Sequence, residues 1–401
     1  MTRPRVDIGF VGFLFGATGM FATMYATQAI LPRLGRDFHV SDSTAGLSIS
    51  VLVVCVGAGA WLWGPLSDRI GRRRSLLLAS TVLPFPVLLS AAAPTFPLLL
   101  VARGLQGLCM PGLLIVSLPY VMEAFGRTMG RRAMGYYVFS LTFGGLVGRV
   151  GVAELSAVVG WRVALGSLAV LPAVASIVMR RTLPPEPQAG TLRGDERFLH
   201  AARRVLRSRA LVGSMLVGFG CFFTFTGVFS YVTFRLEAPP FSFSDSKTGL
   251  IFTLWALGFF GPVAGRVAER VGWRVICITA MCFVLVGVLI TIPARVPTLI
   301  VGLAILAIGM YAGTTGAQLG VSSSTRHDRG IASAFYFTAF YTAATLAGYL
   351  PGLVWESHGW GGVVVLALCV ITTFGIAAVW TLHGVPDTLP RPEDVPLGEA
   401  P

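Results

Sequence analysis

Twelve apolar stretches of about 20 residues follow one another along the chain, near positions 7–31, 44–66, 74–93, 96–122, 131–157, 161–180, 210–234, 247–268, 273–293, 297–322, 330–353 and 360–382. Each is long enough to cross a hydrocarbon core as a helix. Strands of a membrane barrel are shorter and alternate in character, so only helices satisfy their own backbone over such lengths. The pattern predicts an all-α integral membrane protein of twelve transmembrane helices. The first stretch follows Arg3 and Arg5, as in a secretory signal, but its apolar run is too long and no small-x-small site follows it, so it reads as the first membrane helix.

The polar punctuation between these stretches repeats. Gly64, Asp68, Arg69 and Gly71 in GPLSDRIGRRR match Gly265, Glu269, Arg270 and Gly272, all at an offset of 201. Ser41 to Leu47 (SDSTAGL) returns as Ser244 to Leu250 (SDSKTGL) at an offset of 203, and Gly160-Trp161 returns as Gly359-Trp360 at 199. Two copies of one unit of about two hundred residues imply two parallel six-helix repeats with a substrate path between them, around a central cavity. The expected division is 1–182 for the N-terminal six-helix bundle, 183–209 for a basic cytoplasmic linker, 210–383 for the C-terminal bundle and 384–401 for a disordered cytoplasmic tail. Within the linker, Glu196 to Arg207 has the pattern of a short basic amphipathic helix on the inner membrane surface. Small residues four apart (Gly144/Gly148, Gly261/Gly265, Gly309/Gly313, Gly316/Gly320) are expected to let helices approach closely in lipid.

Composition agrees and charge adds direction. Hydrophobic residues make up 54% and charged ones only 12%. The formal net charge of +13 does not indicate a nucleic-acid partner, because with the N-terminus inside 23 of the 31 Lys/Arg fall in cytoplasmic segments. That bias is the positive-inside rule, and an even helix count leaves both termini cytoplasmic. Six basic residues fall outside (Arg33, Arg36, Arg162, Arg235, Lys247, Arg295) and two, Arg103 and Arg149, lie within helices. The six cysteines all sit in apolar segments, where free thiols act as small apolar residues, and the five histidines show no metal-ligand spacing. No metal, cofactor or catalytic set is expected, so the chain does not read as an enzyme. Lysine occurs once among the 31 basic residues, a usage associated with GC-rich bacterial genomes, so the expected location is a bacterial inner (plasma) membrane.

The two repeats together with Gly64, Asp68, Arg69, Gly71, Arg72 and Arg73 resemble the major facilitator superfamily, over essentially the whole chain and position by position in the signature loop after the second helix. The resemblance implies that Asp68 latches the two halves on the cytoplasmic side in the outward-facing state; the plain alternative is a topology anchor held by Arg69, Arg72, Arg73 and Arg74. In a basic rim, Asp68 is expected to be paired, to local arginines or to a helix N-terminus. Arg103-Gly-Leu-Gln106-Gly107 is similar to a motif of proton-coupled members, which implies a coupling role for Arg103; the alternative is an arginine snorkelling to the outer interface. Gly144-x-x-x-Gly148-Arg149 is similar to the motif of the drug/proton antiporter branch, with Arg149 where proline is expected and the closing glycine pair missing. Arg103 and Arg149 have no counterparts at the repeat-related Ala304 and Tyr349, and Glu154 lies on a different face from Arg149. Two arginines with few acids nearby leave two readings open: an anionic substrate group or an interhelical pair.

By resemblance, helices 1, 4, 7 and 10 line the cavity, supported by 5, 8 and 11. Polar and aromatic candidates there are Tyr25, Gln28, Gln106, Phe222, Phe225, Tyr311, Gln318, Tyr336 and Tyr341, a set suited to an amphiphilic or aromatic ligand. The middles of helices 1, 4, 7 and 10 carry no Asp or Glu, which disfavours cationic drugs. The leading expectation is a secondary transporter using alternating access for proton-coupled efflux of amphiphilic or aromatic small molecules, working as a monomer in the lipid bilayer with protons and a small-molecule substrate as partners. The alternative is uptake or exchange of a small metabolite such as an organic anion, and a remoter one is a non-transporting membrane sensor.

Overall fold

A computed structural model describes residues 3–183, 197–325 and 328–386. The tail from 387 onward and most of the Pro-rich part of the linker lie outside the described residues. Among the described residues ten helices are long and apolar enough to cross a membrane: α1 (Phe10–Phe38), α2 (Asp42–Ile70), α3 (Arg72–Ala92), α4 (Phe96–Leu114), α5 (Phe139–Val159), α6 (Trp161–Thr182), α7 (Arg209–Glu237), α9 (Trp273–Ile290), α10 (Val296–Ser324) and Gly330–Leu382. A bent pair, Asp245–Phe260 and Val263–Val271, forms an eleventh, α8. Gly330–Leu382 is itself two spans, because Gly359 breaks the helix at φ 58°, ψ −146°. Its halves are α11 (330–358) and α12 (360–382), which completes twelve.

The sequence repeat reappears as repeated backbone geometry. Gly71 (φ 91°, ψ 150°) and Gly272 (φ 92°, ψ 146°) turn the chain at equivalent loops, in a region only glycine occupies without strain. Gly160 and Gly359 also have positive φ at the other end of the repeat. Ser41 and Ser244 are both N-caps whose hydroxyls accept from Thr44 N and Lys247 N, starting α2 and α8 at the same point of each copy.

Two helices are irregular. In α1 the α-helix ends at Met24, passes through a 3-10 turn over Ala26–Ile30 and resumes at Leu31–Phe38. This carries the first span past the expected end at 31, so that Arg33 and Arg36 ride on its last turns rather than on a loop. In α8, Leu250–Phe260 is 3-10 helix, unusually long for that geometry. Between α4 and α5 the backbone over Ser117–Val159 is helical, yet Tyr137 Oη donates to Leu114 O at 3.1 Å. A straight helix would put those residues about 35 Å apart, so the chain reverses direction between them. Outside the spans, the linker contributes a helix over Arg197–Leu206, with Val205 buried and Arg204 paired to Asp328.

Packing is tightest where small residues meet backbone. Added methyl groups at Gly144 and Gly148 would strike the Thr18 and Ala22 carbonyls, so α5 lies directly on α1. Gly309 holds α10 against the α9 backbone in the same way, and Gly316 lies against Cys277 Sγ, whereas Gly261 and Gly265 have only ordinary contacts with Thr315. Trp61, Leu62, Phe85, Val158, Ile376 and Trp380 expose more than half their surface, as lipid-facing side chains do.

Candidate translocation site

The two bundles, α1–α6 and α7–α12, meet at the rim opposite the Asp68 loop. There Arg33 pairs with Asp245 at 3.0 Å, and Arg36 with Glu237 at 2.5 Å and Asp245 at 3.4 Å. Trp355 Nε1 donates to Asp42 Oδ2 (2.8 Å), Ser43 N to Glu356 Oε1 (2.8 Å) and Ser246 Oγ to Glu154 Oε2 (2.6 Å). The repeated Ser-Asp-Ser caps thus do more than start helices. Asp42 and Asp245 each receive donors from the other bundle, Asp42 across α2–α11 and Asp245 across α1–α8. One layer deeper, Ser50 Oγ donates to Thr345 O at 2.6 Å, and Gly46 lies against the Gly348 backbone.

At the Asp68 rim the arrangement differs. The hydrogen bonds that join the bundles among the described residues lie at the opposite rim or at mid-depth. Among the described residues Asp68 itself makes no hydrogen bond or ion pair, so the expected pairing to local arginines or a helix N-terminus is not found. Its carboxylate is half-buried. Of the rest of the motif, Gly71 makes the turn, Arg73 donates to the Leu183 and Arg180 carbonyls, Arg69 is exposed, Arg72 is half-buried, and Gly64 has open space where a side chain would lie.

Between the rims sit the two buried arginines, and they are used differently. Arg103 is fully buried on α4 and points all its nitrogens at acceptors: Nε to Ser48 O (3.0 Å), Nη1 to Thr23 O (3.1 Å) and Gln106 Oε1 (2.8 Å), Nη2 to Met24 O (2.5 Å) and Thr27 Oγ1 (3.3 Å). The α-helical part of α1 stops at Met24, which strands carbonyls that the next turn would otherwise bond. Arg103 and Gln106, whose Nε2 also donates to Thr23 O at 3.0 Å, close that break. Arg103 does not reach the outer interface, and Gln106 is spent on this network rather than free to line a path.

Arg149 on α5 is equally buried. Its Nε donates to Gln28 Oε1 (2.7 Å) and Nη1 to Gly145 O (2.6 Å), and its guanidinium lies 3.5 Å from the centre of the Trp255 ring, 4.7 Å from Tyr25 and 5.7 Å from Phe252. Desolvated cation–π contacts of this kind contribute about 2 kcal/mol. Gln28 Nε2 in turn donates to Ser230 Oγ on α7 at 2.9 Å. Gln28 lies on the 3-10 turn of α1, and Trp255 and Phe252 lie on the 3-10 stretch of α8. The cluster therefore forms where two helices lose α-geometry, a common setting for transporter sites. Glu154 bonds Ser246 rather than Arg149.

Of the sequence candidates, Tyr25, Gln28, Phe225 and Tyr311 come together around this cluster: Phe225 packs 4.9 Å from Trp255, and Tyr311 Oη donates to Trp255 O. Phe222, Tyr336 and Tyr341 form a second aromatic group with Phe340, within the C-terminal bundle on α7 and α11. Gln318 is exposed on α10, apart from both. Trp255, Phe252 and Ser230 were missed, because an aromatic in an apolar segment carries no signal of its partner. The ion pairs of Arg33 and Arg36 were missed because their acids lie some two hundred residues away in sequence.

This is the architecture of a two-bundle membrane transporter with a rim bonded across the bundles and a polar cluster at mid-depth. The sequence profile of the Major Facilitator Superfamily matches residues 13–242 and 231–401, and the chain belongs to that superfamily. It is 30% identical over 383 residues to the MFS-type transporter YybF of Bacillus subtilis (strain 168), covering 92% of each chain. It is also 30% identical over 175 residues to the multidrug resistance protein MdtM of Salmonella typhimurium, covering 43% of this chain and 42% of that one. The fold matches that of the xylose transporter XylE from E. coli in an inward open conformation, with a TM-score of 0.74 at 18% identity over 96% of this chain and 97% of that one.

Proposed function

We propose that this protein is a secondary transporter of a bacterial plasma membrane that exports amphiphilic or aromatic small molecules by alternating access, driven by protons. The observation that carries the reading is the aromatic cluster of Tyr25, Phe225, Phe252, Trp255 and Tyr311 around a polar centre at the meeting of the bundles, which suits a flat apolar body with one polar group. The partial likeness to MdtM supports efflux over uptake.

The charge bias supports a cytoplasmic Asp68 loop, so in this reading the rim bonded through Arg36 and Asp245 is closed and faces outward, and the Asp68 rim is open and faces the cell. Closing the Asp68 rim while parting the Arg36/Asp245 rim is the second half of the cycle, and Asp68 takes up its latch in that state. Proton coupling by Arg103 works through its hold on the break in α1 rather than through its own titration, since a guanidinium keeps its proton. The test is efflux of fluorescent amphiphiles from pump-deficient bacterial cells expressing the protein, with and without a protonophore. Extrusion abolished by the protonophore and by Asp68→Asn supports the reading. Inward flux of an organic anion, insensitive to the protonophore, would replace it by exchange.

A further inference from the structure

We propose that Arg149, with the Tyr25 hydroxyl and the Trp255 indole N–H, receives a single anionic group, such as a carboxylate, on the molecule this protein carries. The proposal rests on the reading of the protein as a small-molecule transporter, and it does not depend on direction or driving force.

The two buried arginines make the argument by contrast. Every nitrogen of Arg103 faces an acceptor, and its bonds are consumed in closing α1. Arg149 uses only Nε and Nη1; its Nη2 is buried with no hydrogen-bond partner. The guanidinium carbon lies over the Trp255 ring, a contact with the ring's face that takes up no N–H, so it leaves Nη2 unmet. The Tyr25 Oη and Trp255 Nε1 are also buried without partners, and their rings are the two nearest to the guanidinium. Buried donors are nearly always paired in folded proteins, so three unmet ones around one cation mark a place built for an acceptor.

Charge selects the acceptor. Among the described residues no carboxylate lies within ion-pairing distance of Arg149. A cationic ligand would be repelled, and a neutral one would leave the guanidinium charge uncompensated in a dry site. One guanidinium balances one negative charge, so a monoanion fits and a dianion such as phosphate is over-charged for it. The walls of Tyr25, Phe252 and Trp255 favour a flat aromatic or alicyclic body beside the anion.

The receptor is also shared between bundles. Arg149 and Tyr25 belong to the first and Trp255 to the second, with Gln28 bridging from Arg149 to Ser230. The donor set is whole only while the rim bearing Arg36 and Asp245 is closed, so an anion bound here favours that state over the other.

The test uses the purified full-length protein in detergent, titrated with benzoate, 1-naphthoate and phenylacetate and with the corresponding neutral carboxamides, read by tryptophan fluorescence and thermal shift. The expected result is saturable binding of at least one carboxylate, about 10-fold or more tighter than its amide. Arg149→Gln should bring that ratio to about one, and Tyr25→Phe, which removes a single hydroxyl, should lower it about 3-fold or more while leaving amide binding unchanged. No saturable carboxylate binding, equal binding of acid and amide, or a ratio unchanged in Arg149→Gln overturns the proposal. If that variant does not fold, an unchanged ratio in Tyr25→Phe overturns it. Carboxylate selectivity without protonophore-sensitive efflux would sink the export reading alone, and efflux of neutral amphiphiles without carboxylate selectivity would sink the receptor alone.

Discussion

Gly46→Ala should push the protein out of the state described above. The residue sits on α2 where it crosses α11, and a methyl group there would land on the Gly348 carbonyl oxygen, 2.6 Å from Tyr231 Oη and 3.0 Å from Gly348 C. Two of these are backbone atoms and cannot rotate aside, and Tyr231 is held by its own bond to Gly348 O at 2.9 Å. Overpacking of this kind costs about 1–3 kcal/mol. It is incurred only while the bundles touch at that rim, so it shifts the equilibrium between the two open states by about 5- to 150-fold. The assay is a distance distribution between spin labels at Arg69 and Arg270, exposed and repeat-related positions on the open rim, in a background with the native cysteines replaced. The wild type should be dominated by the long distance, and Gly46→Ala should gain a short-distance population with slower transport. Gly57→Ala, on the same helix with nothing within 4 Å, is the control and should change nothing. A distribution in Gly46→Ala identical to the control, in protein that elutes normally, would refute the idea that this glycine crossing governs closure.

Other outcomes follow from the same geometry. Arg103→Met should leave the Met24 carbonyl unpaired, at about 1–3 kcal/mol, and the Thr23 carbonyl with Gln106 alone, lowering the melting temperature in detergent, and Arg103→Lys should rescue little because three donors on one ammonium cannot match a planar fork; unchanged melting would show that Arg103 does not close the α1 break. Asp245→Asn removes the carboxylate shared by Arg33 and Arg36 at a half-exposed rim, so its shift in the label distances should be smaller than that of Gly46→Ala and should vanish at high salt; a salt-independent shift would contradict an electrostatic latch. Asp68→Asn should abolish transport with normal membrane levels, and unaltered flux would remove the latch. Gly71→Ala forces φ 91° on a side chain and should impair folding or insertion, seen as reduced yield of monodisperse protein.

Much of this protein was legible before any tertiary contact. Long apolar stretches dictate helices because lipid offers the backbone no partners, and the twelve spans follow from that alone. The repeated Ser41/Ser244 and Gly71/Gly272 pairs encode caps and turns, since each acts on its own few residues whatever surrounds them. Arg103 and Arg149 stood out because a charge in a membrane helix is costly enough to need a reason.

What those reasons are, only the packing decided. Sequence could not tell that Arg103 is consumed by a break in α1 while Arg149 keeps an unmet donor, because the acceptors lie on other helices. Gln106 looked like a cavity residue and is spent on Arg103; Trp255 carried no signal of its own and covers a guanidinium. Asp42 and Asp245 stood in a repeated segment with no role of their own, and their partners across the bundle interface have no sequence signature, since residues some two to three hundred positions apart share no local pattern. Among the described residues Asp68 makes no hydrogen bond or ion pair, which no local pattern could have told. Element identity is a short-range property of the backbone and its solvent, whereas the state of a two-bundle transporter is set by contacts that exist only when the bundles meet.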